Sequence, residues 1–180
     1  TGQPKKRPNP VGSLWLLTFI QLLLWGQFAP GFGAENIYPV SAGFFGLCGL
    51  GWVLYGVSRR LHRRQFDLET LALLLATVGF AITAAWDPGA LYKQLAAVAL
   101  GMGIYCVLVW LLGRLQLAVK LRWPAAGLAA ALLAFNVVMG ERIFGAKNWI
   151  SVGPISFQPS ELVKLAFILA GAATLDRLFA

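Results

Sequence analysis

A chain of 180 residues that is 58% hydrophobic and only 12% charged, with a mean hydropathy of +0.70, has too little charge to cover a soluble domain. Its net charge of +8 does not point to nucleic acid, because the basic residues gather in alternate joints between apolar runs. Those runs recur at about 18–20 residues, the length that crosses a bilayer's hydrocarbon, so the class is an all-α, polytopic integral membrane helix bundle.

In chain order, residues 1–12 are rich in Pro and Lys and read as a disordered cytoplasmic lead-in. The chain opens on Thr1. Its first apolar run, from Ser13, is too long for a signal-peptide core and lacks a small-residue cleavage site, so it reads as a retained span. About six transmembrane helices are predicted, over 13–30, 39–58, 68–86, 92–113, 123–140 and 158–176. In lipid each segment must satisfy its own backbone, which leaves helices. The alternating strands of a membrane barrel, about ten residues each, are not in the pattern. The fifth span opens at Trp123-Pro124, a proline suited to a first helical turn.

The joints set the orientation. One set holds Lys5, Lys6, Arg7, Arg59, Arg60, Arg63, Arg64, Arg114, Lys120, Arg122 and Arg177, eleven in all, against three (Lys93, Arg142, Lys147) in the other. Strict alternation of six spans agrees with this asymmetry. The positive-inside rule then makes both ends cytoplasmic and the 141–157 joint extracytoplasmic.

Other residue types fit the same picture. Cys48 and Cys106 lie in separate apolar runs, without a CxxC or His partner, and read as buried inert thiols; no metal site or cofactor is expected. His62, the only histidine, falls among arginines and reads as a solvated joint residue. Trp25, Trp86, Trp110, Trp123, Trp149, Tyr38, Tyr55 and Tyr92 fall near span ends, as an interfacial aromatic belt would. Gly43, Gly46 and Gly49, and Gly101 and Gly103, recur at helical spacing and suggest close helix packing.

The start of the sixth span is unlike the rest. In Phe157-Gln158-Pro159-Ser160-Glu161-Leu162, Gln158 suits an N-cap and Pro159 the first helical position. Glu161 then takes the capping-box position at the positive end of the helix dipole, and Phe157 and Leu162 the positions of a hydrophobic staple. A bland loop-to-helix junction accounts for all of these. It does not account for Lys164, which lies about 9 Å into the helix on the face of Glu161 and against the dipole. Lysine in hydrocarbon is costly, so Lys164 either snorkels to the interface or pairs with Glu161 toward a polar cavity.

The run Gly145-Ala146-Lys147-Asn148-Trp149-Ile150, followed by Phe157-Gln158-Pro159-Ser160-Glu161-Leu162 and Lys164, resembles the signature of the FtsW/RodA/SpoVE (SEDS) family. Tyr92-Lys93-Gln94 with Gly101 is similar to an earlier span of that family. The resemblance covers about 67–180, which leaves 13–66 as a two-helix N-terminal extension before a SEDS-like domain that stops short of the family's usual length of about ten spans. It implies a peptidoglycan glycosyltransferase of the bacterial cytoplasmic membrane, serving division or elongation. Such an enzyme polymerises lipid II at the outer face beside a class B penicillin-binding protein. Lys147, Trp149, Gln158, Pro159, Ser160, Glu161 and Lys164 would then belong to the family motif, Glu161 pairing with Lys164 by a central cavity and Lys147 meeting pyrophosphate as a point charge. The acidic residue proposed as catalytic in the family lies in a later outer loop. No catalytic residue is therefore named, and these residues alone are expected to be inactive; Glu35, Asp87 and Glu141 read as isolated loop acids. A lipid II flippase and a non-catalytic membrane scaffold for a penicillin-binding protein stand as alternatives.

Overall fold

The computed structural model describes residues 10–179 except 62, 64, 140, 144–145 and 153–154; for 141–157 and some helical positions it describes the backbone alone. The lead-in lysines, His62 and Arg64 lie outside the described residues. Helices α1 (Pro10–Phe28), α2 (Ala34–Arg60), α3 (Asp67–Trp86), α4 (Leu91–Leu112), α5 (Leu115–Met139) and α6 (Pro159–Phe179) each carry one of the six expected spans. Among the described residues, the four segments built on α1 to α4 are long and apolar enough to cross a membrane. The chain is a multi-pass, all-α membrane helix bundle.

Three boundaries differ from the sequence reading. Hydropathy finds an apolar window, whereas a helix continues for as long as its residues tolerate helical geometry. Helix α1 starts at Pro10, inside the expected lead-in. Helix α2 starts at Ala34, so Glu35 sits in a first helical turn rather than a loop, and Pro39 is inside the helix. Helix α5 starts at Leu115, because Leu-Gln-Leu-Ala-Val-Lys-Leu-Arg are good helix formers; Pro124 is therefore interior, not in a first turn. The expected outer loop is also more regular than read. It forms an antiparallel meander of β1 (Glu141–Ile143), β2 (Ala146–Val152) and β3 (Ile155–Phe157), rich in β-branched and aromatic residues.

The chain divides into two compact units, Thr1–Cys106 and Val107–Ala180. In the first, α2 supplies the central row Val40, Phe44, Leu47 and Leu54, packed against Leu14 and Leu17 of α1, Leu73 and Phe80 of α3, and Leu91 of α4. Phe44 meets Phe80 edge-on at 6.5 Å. Polar contacts set the register of α1. Gln21, 2% exposed, donates from Nε2 to Thr77 Oγ1 at 2.9 Å and accepts from the Cys48 thiol at 2.9 Å. Thr77 in turn donates to the Leu73 carbonyl at 2.8 Å. Such pairs count where no water competes, because an unpaired polar group in hydrocarbon has no other partner.

The glycines divide by neighbourhood. A Cβ on Gly46 would stand 2.6 Å from Leu95 Cδ2, and one on Gly43 would stand 3.4 Å from Leu91 Cβ, so these two do let α2 and α4 approach. Among the described residues, nothing lies within 4 Å of such an atom on Gly49, Gly101 or Gly103, and no close helix contact is formed there. Trp86 and Tyr38 are exposed, as a belt requires, but Trp25 turns inward and donates to Ser41 Oγ at 3.0 Å. In the second unit α5 packs along α6, and β2 lies against both.

Candidate functional site

Helix α6 begins as the local chemistry dictates. Gln158 precedes the helix, Pro159 is its first residue, and the Glu161 N–H donates to the Gln158 carbonyl at 3.0 Å. Lys164 Nζ donates to Glu161 Oε1 at 2.7 Å, one turn on, with the two side chains 65% and 58% exposed. Lys164 is thus paired with Glu161, with both side chains largely exposed. Gln158 and Ser160 are half-buried beside it.

The meander brings the earlier part of the motif next to this helix. Strand β3 ends at Phe157, one residue before Gln158, and pairs with β2 through Ile150–Phe157, Ser151–Ser156 and Val152–Ile155. Lys147 and Trp149 lie on β2, where they pair in register with Arg142 and Glu141 of β1, with a bulge between Glu141 and Arg142. Thus Glu141 is a strand residue rather than a loop acid. The motif residues Lys147, Trp149, Gln158, Pro159, Ser160, Glu161 and Lys164 fall on adjoining elements; the side chains of Lys147, Trp149 and Pro159 lie outside the description.

The first unit holds a second polar constellation that the sequence reading did not single out. Glu69, 5% exposed near the start of α3, accepts from the Tyr105 hydroxyl of α4. Arg63 Nη1 donates to the same hydroxyl at 2.6 Å and stands 3.6 Å from Glu69 Oε1. The available signal was an acid one turn inside an apolar run, with a tyrosine at the far end of the next. Toward the other end of α4, Gln94 of the Tyr92-Lys93-Gln94 stretch faces Gly79 of α3 and has its Oε1 buried without a hydrogen-bond partner among the described residues. No group of three or more His, Cys, Asp or Glu able to hold a metal ion occurs among the described residues.

The model of the FtsW/RodA/SpoVE family, described as "Cell cycle protein", matches residues 60–178, a stretch that contains the whole motif. The chain belongs to the FtsW/RodA/SpoVE family. Its curated relatives carry the name "Probable peptidoglycan glycosyltransferase FtsW". Over 141 residues it is 33% identical to the one from Idiomarina loihiensis, covering 71% of this chain and 33% of that protein. It is 37% identical over 87 residues to that of Neisseria gonorrhoeae, covering 48% of this chain and 19% of the relative. With that of Synechocystis sp. it shares 39% over 83 residues, covering 44% and 20%. This family member thus spans between a fifth and a third of the length of these three relatives. No solved structure matches it.

Proposed function

We propose that this chain is part of a peptidoglycan glycosyltransferase that polymerises lipid II at the outer face of the bacterial cytoplasmic membrane during cell division. The observation that carries the reading is the Phe157–Lys164 motif at the start of α6, inside the family-matched stretch of a chain whose relatives bear that enzyme's name. Glycosyl transfer needs a base for the acceptor hydroxyl and positive charge for the departing pyrophosphate. Lys147 suits the second task. Its register partner is Arg142, and like charges directly opposite on a sheet are unfavourable unless an anion joins them. The base belongs to a part of the enzyme outside these residues. The Glu161–Lys164 pair shapes the substrate cavity without doing the chemistry.

The eleven-to-three asymmetry of basic residues supports cytoplasmic ends and an outer-face meander. Residues 13–66 are an N-terminal extension to a SEDS-like domain over 67–180, and the partner is a class B penicillin-binding protein. The test is reconstitution of the full-length protein with lipid II and gel analysis of glycan strands. Wild type yields strands, and Lys147→Ala lowers the yield at least about tenfold, the equivalent of one lost charge-assisted contact. Translocation of a fluorescent lipid II without polymerisation would sink the reading in favour of a flippase.

A further inference from the structure

A cavity of about 540 Å³ opens in the first unit between α3 and α4, over α2. Leu54 and Leu73 floor it, both at most 5% exposed, while Leu68 and Gly101 stand exposed at its rim. A second cavity of about 260 Å³ shares Leu54 and Met102 and is lined by apolar residues and Cys106. Helix α4 therefore stands off α2 at this level, although it is tight against it at Gly46. Native interiors are packed to crystal density, and an open apolar groove of this size offers unfilled contact surface to an apolar occupant.

One end of the larger cavity is polar. Arg63, Glu69 and Tyr105 close it, with Arg63 turned to the other two through Nη1 yet still 39% exposed. A guanidinium has five N–H donors in a fixed fork, so most of this one remains open to an anion. Arg59 and Arg60 are exposed on the last turn of α2, four and three residues before Arg63 in the chain; neither lines the cavity, and Arg59 lies over the Tyr55 ring at 5.9 Å. Against these three arginines stand two carboxylates, Asp67 and Glu69, and Glu69 is already engaged by Arg63 and Tyr105. An aliphatic slot whose polar end carries an exposed guanidinium, with two more arginines on the preceding helical turn, suits a two-part amphiphile with an anionic head. Basic pockets between transmembrane helices bind such lipid headgroups.

We propose that this groove is a binding site for an anionic phospholipid, one acyl chain lying over Leu73 and Met102 and the phosphate on Arg63. The site is built jointly by α2, which mostly precedes the family-matched residues, and by α3 and α4 within them. It does not depend on the lipid II reading.

The test is photo-crosslinking of the full-length protein in nanodiscs, with phosphatidylglycerol or phosphatidylcholine bearing a diazirine on one acyl chain. Labelled peptides are then mapped. Phosphatidylglycerol labels 68–76 and 98–105, and phosphatidylcholine labels them several-fold less. Arg63→Gln cuts the preference for phosphatidylglycerol about fivefold, the equivalent of about 1 kcal/mol for one cation near a headgroup. Gly101→Leu fills the slot, and since nothing lies within 4 Å of a Cβ there, the helix accommodates it. Its labelling falls to background, while Gly49→Leu, equally unobstructed but away from the groove, keeps it. Equal labelling by the two lipids, unchanged labelling of Gly101→Leu, or a protein segment crosslinked into the groove in place of lipid each overturns the proposal.

Discussion

Lys164 illustrates how little an ion pair tells about stability. Its 2.7 Å contact with Glu161 is short, but both side chains are more than half exposed, and pairs of that kind contribute about 0–1 kcal/mol. Glu161→Ala and Lys164→Ala in the full-length protein are therefore expected to melt within about 1 kcal/mol of wild type and to reach the membrane at normal levels. Loss of division complementation under those conditions supports a role in the substrate cavity, and full complementation by both reduces the cluster to a helix start. Thr77 makes the opposite case. It is 0% exposed and takes the Gln21 amide, so Thr77→Val strands a donor in hydrocarbon. The expected cost is about 1 kcal/mol, near the upper part of the range for interhelical hydrogen bonds in membranes. A detergent melting series checks it; a valine variant as stable as wild type would show that Gln21 finds another partner.

At the scale of elements, the glycines separate contact from composition. Gly46→Leu drives a side chain into Leu95, which already stands 2.6 Å from where a Cβ would lie, and overpacking of this kind costs about 1–3 kcal/mol. Gly103→Ala meets nothing within 4 Å and is expected to gain about 0.5–1 kcal/mol from helix propensity. The two variants should shift the melting temperature in opposite directions. Spacing alone placed both glycines in one class, because a small residue at helical period looks the same whether or not a neighbouring helix is there. Pro124 carries a similar lesson. It reads as a first-turn proline only if the helix starts with the apolar window, whereas α5 runs from Leu115. Ala-Val-Lys-Leu-Arg is a good helix that is too polar for a hydropathy window to include.

For the whole molecule, the two helices ahead of Asp67 are structural partners of α3. Leu14, Leu17, Val40, Phe44 and Leu47 bury Leu73 and Phe80 within the first unit's core. In a bilayer the gain from this is packing and hydrogen bonding rather than escape from water, so the contacts cannot be replaced by lipid tails of irregular shape. Deleting residues 1–66 from the full-length protein is expected to lower its membrane abundance and thermal stability. A truncated protein that melts like wild type would show the extension to be a dispensable appendage.

Apolar run length and the spelling of residues 145–164 determined the class, the six helices and the family without any coordinates. Each is a local property, and the bilayer imposes it segment by segment. The tertiary structure alone decided which glycines touch a neighbour, that Gln21 reaches Thr77 across 56 positions, and that Arg63, Glu69 and Tyr105 meet at the end of an apolar groove. Those facts depend on how helices distant in sequence lean on one another. A one-dimensional pattern has no term for that distance.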